Sequence, residues 1–333
     1  MQSTPILRVQ NLRTHFKLDE GILKAVDGVD FEIYKKKTMG MIGESGCGKS
    51  VTAFSIMRTV LPPGKVIDGV IEYQMNDGQI IDIAKLDPFG RQVRSIRGKE
   101  IAMIFQEPVT SLSPVHTVGD QITEMILLHR TKNQKEAKEI ALDMLNKVGL
   151  PNPVQRFQEY PHLLSGGMCQ RVMIAQALSC NPSLLIADEP TTALDVTVQA
   201  QILELIVSLQ DEFGMSVLYI THDLGVIAEI ADTVAVMYLG RIVEFSDTRT
   251  IFKRPLHPYT QRLLKAIPSI TQKANSYLEN IKGNVPVPLN PPQECGFFSR
   301  CLLAIDGLCN KSVPPLVEIE PGHQVRCFLV EKG

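Results

Sequence analysis

Eight residues, Gly43-Glu44-Ser45-Gly46-Cys47-Gly48-Lys49-Ser50, restrict the fold of this chain more than any other stretch. They fit the phosphate-loop pattern G-x-x-x-x-G-K-[ST] at every fixed position. The apolar run Thr38–Ile42 precedes them and the helix-compatible run Val51–Met57 follows. A chance glycine-rich turn would lack those flanks. The loop works only as a strand-to-helix turn: its glycines let N–H groups point inward, and the helix amino terminus adds a favourable dipole. Lys49 is expected to reach the β- and γ-phosphates of a nucleotide, and the Ser50 hydroxyl to ligate Mg²⁺.

A phosphate loop needs a mainly parallel sheet behind it, and the strand-like runs supply one. The clearest are Phe31–Tyr34, Thr38–Ile42, Ile101–Phe105, Leu184–Ala187, Val217–Ile220 and Val234–Met237. Helical spacing recurs between them. Lys135–Gly149 places Ala137, Ile140, Ala141, Met144, Leu145 and Val148 on one face, with Gly149 and Pro151 as stop signals. A second helix is expected over Thr197–Phe213, ended by Gly214. Strands alternating with helices argue for an α/β sheet covered on both faces. Residues from about 107 to 165 read as a helical insertion. After Asp247 proline becomes frequent and long periodic elements fade beyond Pro258–Ala266, so the expected division is 1–247 and 248–333.

With 44% hydrophobic and 21% charged residues, this is the composition of an ordinary globular chain. A formal charge of −2 leaves no basic footprint for nucleic acid. The start, MQSTPILRVQ, lacks a secretory pattern. No run reaches the roughly 18 apolar residues of a membrane helix, and Ser216–Gly240 is broken by His222, Asp223, Glu229 and Asp232. A cytosolic chain is expected, reaching a membrane only through partners.

Three further constellations carry chemistry. Asp188-Glu189 closes the apolar run Leu184–Ala187, where a carboxylate can hold Mg²⁺ and its neighbour can act as general base on water. Gln106 and His222 follow the strands Ile101–Phe105 and Val217–Thr221. Ligands of open α/β sheets bind at that carboxyl edge, so all four converge on one crevice. Between these strands lies Leu164-Ser165-Gly166-Gly167-Met168-Cys169-Gln170-Arg171, whose glycines and expected helix start make a second anion-binding surface.

In this order and spacing, with Ala193-Leu194-Asp195 added, the chain resembles the ATP-binding subunits of ABC transporters over about residues 6–245. The resemblance implies a P-loop NTPase (RecA-like) α/β core with an antiparallel β subdomain and helical insertion, plus a small cysteine-containing C-terminal extension. It implies ATP held by Gly43, Glu44, Ser45, Gly46, Cys47, Gly48, Lys49, Ser50 and Val51. Phe16 matches the position that stacks on adenine, although a core-strand role suits it equally. Mg²⁺ would be held by Ser50, Gln106 and Asp188. Glu189 would be the base, with Gln106, His222 and Lys49 assisting, and His222 bonding the γ-phosphate. Ser165, Gly166, Gly167 and Gln170 would serve the ATP of a second subunit, and Asp195 would lie at the dimer interface. Cys47 and Thr192 stand where the family often has serine. Cys169 lies within the signature run. Neither thiol is expected to be catalytic, but modification of Cys47 beside the phosphates is expected to block binding.

Pro255-Leu256-His257-Pro258-Tyr259-Thr260, continuing to Ala266-Ile267-Pro268, is similar to the extension of the dipeptide, oligopeptide and nickel importer ATPases. Cys295, Arg300, Cys301, Cys309, Pro315, His323 and Cys327 carry that likeness to the carboxyl end. Four thiolates at Cys295, Cys301, Cys309 and Cys327, spaced C-x₅-C-x₇-C-x₁₇-C, suit an iron–sulfur cluster or tetrahedral zinc, and the spacing does not choose between them. Reduced, unligated thiols are the third option. The resemblance implies [4Fe–4S], as a staple for a short proline-rich tail.

The expected activity is ATP hydrolysis energising uptake of di- or oligopeptides, or of nickel, at the cytoplasmic face of the inner membrane. The implied partners are a second ATP-binding subunit (a related chain or a second copy), two membrane-spanning permease subunits, and indirectly an extracytoplasmic solute-binding protein. A soluble ABC ATPase of translation or DNA repair would carry tandem cassettes or coiled coils, absent here. A non-catalytic sensor would not need Lys49, Asp188 and Glu189 together.

Overall fold

The computed structural model of the chain describes residues 4–192, 194–266 and 283–330. Ala193, Ile267 and Pro268, placed in motifs above, lie outside the described residues.

Two sheets form the body. The strands in chain order are β1 (Pro5–Leu18), β2 (Gly21–Tyr34), β3 (Thr38–Ile42), β4 (Gly64–Gln74), β5 (Ile80–Asp82) and β6 (Ile101–Ile104). Then follow β7 (Leu184–Asp188), β8 (Ser216–Ile220), β9 (Thr233–Tyr238), β10 (Arg241–Asp247), β11 (Val317–Glu320) and β12 (His323–Val325). The larger sheet runs β11-β12-β10-β9-β3-β8-β7-β6, and the smaller, antiparallel one β2-β1-β4-β5. Pairing is parallel from β9 through β3, β8 and β7 to β6. The strands β3, β6, β7 and β8 are buried along their whole length. That is why they read as unbroken apolar runs rather than alternating ones.

Alternation still decides which residue serves which face. Leu184 and Ile186 of β7 pack toward the antiparallel sheet and the helix Lys49–Ile56. Leu185 and Ala187 pack toward the helices on the opposite face, among them Gly166–Leu178 and Val196–Phe213. The region between β6 and β7 is helical, with Pro108–Ser111, Val118–His129, Gln134–Lys147 and Pro153–Phe157 preceding Gly166–Leu178. Thr117 and Asp120 close a capping box on Val118–His129. Asn133 caps Gln134–Lys147, which buries the expected stripe Ala137, Ala141, Met144 and Leu145.

Two features exceed the sequence reading. The run Phe31–Tyr34 is only the end of a 14-residue strand paired with β1 through several register shifts. Bulges at Val9/Leu12 and the turn-prone Asn11 and Gly28 mask its period. The hairpin β11–β12 was not anticipated; β12 pairs with β10, so the large sheet continues past residue 248. No helix among the described residues is long and apolar enough to cross a membrane.

Candidate active site

The phosphate loop hangs between β3 and the helix Lys49–Ile56. Gly48 sits at φ 106°, and a Cβ there would lie 2.2 Å from the Ala25 carbonyl oxygen. A Cβ on Gly43 (φ 153°) would lie 2.3 Å from the Met237 carbonyl oxygen. Only glycine satisfies both conformation and space at these two points. Lys49 is buried, and its Nζ donates to the Gly43 and Glu44 carbonyls at 2.9 and 3.2 Å. The Cys47 side chain points into the core and is fully buried, which raises its thiol pKa. Its Sγ lies 3.9 Å from Lys49 Nζ.

Ser50 Oγ donates to Asp188 Oδ1 at 3.0 Å. Asp188 is 2% exposed, and burial pushes its carboxyl up to about 6 despite the Ser50 hydrogen bond and the charge of Lys49. A hydroxyl paired with a desolvated carboxylate is a donor set that fits a hard divalent cation, whose charge would relieve the burial.

Glu189 follows in the left-handed region at φ 47°, with its N–H donating to Ile220 O at 2.8 Å. That kink turns the carboxylate toward its neighbours. Gln106 Nε2 donates to Glu189 Oε2 at 3.3 Å, Thr192 Oγ1 donates to the same oxygen at 3.0 Å, and His222 Nδ1 stands 3.3 Å from it. All three converge on Oε2, which leaves Oε1 without a hydrogen-bond partner among the described residues. Thr192 as a partner of Glu189 escaped the sequence reading; it is the nearest hydroxyl in the turn after β7.

Phe16, Lys49, Ser50, Gln106, Glu189 and His222 all border one open cleft of about 1110 Å³. Glu44, Ser45, Gly46, Gly48 and Val51 line the same cleft. Phe16 is half-buried and packs beside Gly64, so it has a packing role as well as a cleft-facing one.

The signature run lies elsewhere. Ser165 caps the helix Gly166–Leu178, its side chain accepting from Met168 N at 3.3 Å. Ser165 and Gly166 are exposed and Gly167 partly so, and none of the three borders the cleft. Gln170 differs: it is 1% exposed and donates to the Pro190 carbonyl, tying this helix to the Glu189 turn. Asp195 caps Val196–Phe213, accepting from Thr197 N and Val198 N.

The iron–sulfur and zinc expectation for the tail is corrected by the structure. Among the described residues no group of three or more His, Cys, Asp or Glu side chains is placed to hold a metal ion. Cys295, Cys301, Cys309 and Cys327 border a small apolar cavity with Phe297, Leu303 and Leu329. Burial pushes the Cys295 thiol up to about 11 and also raises Cys301 and Cys327. The count and spacing of cysteines could not show this, because they carry no information on where the side chains stand in the fold.

Comparison with known proteins places this geometry. Residues 26–192 match the family model "ABC transporter", and residues 243–309 match "Oligopeptide/dipeptide transporter, C-terminal region". The oligopeptide transport ATP-binding protein AppD of Bacillus subtilis is 50% identical, over 98% of this chain and 97% of its own length. A probable peptide ABC transporter ATP-binding protein of Sinorhizobium fredii is 48% identical over 98% and 97%. The dipeptide transport ATP-binding protein DppD of Escherichia coli is 44% identical over 97% and 96%. Among solved structures, an ATP-binding cassette captured as a dimer in a post-hydrolysis state with ADP and phosphate aligns with a TM-score of 0.64. It is 27% identical and covers 73% of this chain and 99% of that one.

Proposed function

The chain belongs to the ABC transporter ATP-binding family, and from that premise we propose that it is the ATP-hydrolysing subunit of an importer of di- or oligopeptides. The observation that supports hydrolysis best is the gathering of Lys49, Ser50 and the Glu189 hub on one cleft, with Asp188 bonded to Ser50 behind them. The peptide branch is supported by the match of residues 243–309 and by the relatives at 44–50% identity.

The chemistry follows from those positions. Main-chain N–H groups of the loop and the helix start cradle the phosphates of ATP, and Lys49 exchanges its loop carbonyls for phosphate oxygens. Ser50 and Asp188, with Gln106 at the rim, would hold Mg²⁺, which supplies charge neutralisation on the β- and γ-phosphates. Glu189 takes a proton from the attacking water through Oε1, while Gln106, Thr192 and His222 fix its other oxygen. His222 also offers a donor to the γ-phosphate. Little covalent participation is needed, because phosphoryl transfer is governed by positioning and charge.

Ser165, Gly166 and Gly167 would close over the ATP of a second ATP-binding subunit, a related chain, with Asp195 near the interface. The position of Ser165 and Gly166, away from this chain's own cleft, supports that reading. The pair would drive two membrane-spanning permease subunits at the cytoplasmic face of the membrane. The test is uptake of radiolabelled di-, tri- and pentapeptides, and of nickel, by cells lacking only this chain. Loss of peptide uptake, restored by the native chain and not by Lys49→Ala, is the expected result. Intact peptide uptake with lost nickel uptake would overturn the peptide assignment.

A further inference from the structure

The phosphate loop is gripped from outside the sheet that supports it. Arg300, in the short turn Phe298–Arg300, donates from Nη1 to Glu44 Oε2 at 2.7 Å and from Nη2 to Oε1 at 2.9 Å. That is a fork-on-fork pair, the strongest geometry a guanidinium and a carboxylate can adopt. The hydroxyl of Tyr259, at the start of the helix Pro258–Lys265, accepts from the main-chain N–H of the same Glu44 at 2.9 Å. The third polar group of Glu44, its carbonyl, accepts from Lys49 Nζ at 3.2 Å. One loop residue is therefore held at side chain and backbone by residues 256 and 215 positions downstream, and it touches the lysine itself.

The grip is built, not incidental. The Arg300 side chain is 5% exposed. Its Nη1 lies 3.3 Å from Tyr238 Oη, and its guanidinium lies over the Tyr238 ring at 5.8 Å. Tyr238, Tyr259 and Phe297 pack against one another at centroid distances of 4.7, 5.3 and 5.4 Å. A guanidinium desolvated to this degree is costly unless a carboxylate meets it, so Glu44 and Arg300 define each other's position.

The same arginine holds a second wall of the cleft. Its Nη2 donates to Gly283 O at 2.9 Å, in a strap that runs on along β2. Lys24 N–H donates to Pro288 O at 3.0 Å, and Asn290 N–H donates to Ile22 O at 2.9 Å. Val285 and Val287 of this strap border the cleft that contains Phe16 and Lys49. Val287 is 72% exposed, an apolar surface turned to a site expected to hold a nucleobase.

We propose that the C-terminal extension completes the nucleotide site of its own chain. Arg300 is its positioning residue: through Glu44 it sets the phosphate loop and Lys49, and through Gly283 it sets the strap against the base end of the cleft. This rests on reading the cleft as an ATP site, and it makes ATP affinity depend on the state of a segment that no phosphate-loop motif includes.

The test uses the full chain and a fluorescent ATP analogue with Mg²⁺. Loss of a charge-assisted fork predicts that Arg300→Gln weakens analogue binding about tenfold and raises the KM for ATP by the same factor. The fall in kcat is expected to be smaller than the rise in KM. Arg300→Lys, which keeps charge without the fork, should recover part of the loss. Glu44→Gln should reproduce the shift, and the double variant should add nothing to either single change. A lower melting temperature with unchanged binding and KM overturns the proposal, as do additive effects. Should Arg300→Gln fail to fold, Glu44→Gln decides alone, since unchanged binding there is equally fatal. Failure of the unaltered chain to bind the analogue instead fells the ATP-site reading itself, and this inference with it.

Discussion

In the cleft, Gln106, Glu189 and His222 stand one or two residues beyond the ends of β6, β7 and β8. Main-chain ladders place them, and their side chains meet one another at the cleft. In the extension, position depends on side-chain pairs. Glu244 of β10, fully buried, accepts from Leu256 N at 2.7 Å and His257 N at 3.0 Å, and its Oε1 meets His323 Nε2 at 2.8 Å. Arg300 likewise seats itself on Glu44. The contrast teaches where damage spreads. A cleft side chain can be removed at the cost of its own chemistry, whereas an extension side chain leaves buried partners unsatisfied.

The largest expected effect tests the core carboxylate on which the extension is seated. Glu244→Leu strands two N–H donors and a buried imidazole, and should cost about 3–5 kcal/mol in urea unfolding. A loss below about 1 kcal/mol would erase the contrast. The matching cleft change should have the opposite sign. Asp188→Asn removes a carboxylate held at about 6 by burial, and should stabilise the nucleotide-free chain by about 2 kcal/mol at pH 8 while ending Mg²⁺-dependent hydrolysis. The sign follows from the raised folded value. Asp188 favours folding below its unfolded value near 4 and loses that contribution as pH rises through 6. The stability gap between the Asp188→Asn variant and the native chain should therefore open between pH 4 and 6 and stay level above. A gap that closes with rising pH breaks the account. Smallest is Tyr259→Phe, which unpairs the Glu44 N–H and should cost about 1 kcal/mol of stability, read by thermal unfolding.

This division also explains what was legible in the sequence. Thr38–Ile42, Leu184–Ala187 and Val217–Ile220 read as apolar runs because parallel strands are buried on both faces, so the carboxyl edge and its polar residues could be placed. The helix Gln134–Lys147 was visible through its 3.6-residue stripe. The left-handed turn at Glu189 was not, since nothing local demands positive φ of a glutamate. The Arg300–Glu44 pair joins residues 256 apart and leaves no periodic trace. For the tail cysteines, their number suggested a metal, and only their placement in the fold, which forms no metal-holding group among the described residues, corrected it. Strand β2 was read short because bulges interrupt its alternation.

The central claim is that Glu189, held through Oε2 by Gln106, Thr192 and His222, is the base of an ATP-hydrolysing site. The most direct measurement is ATP binding and ATP hydrolysis on one preparation of Glu189→Gln. The account predicts binding within about twofold of the native chain and turnover lowered by about a hundredfold or more. Turnover within about twofold of native, with binding intact, would contradict it.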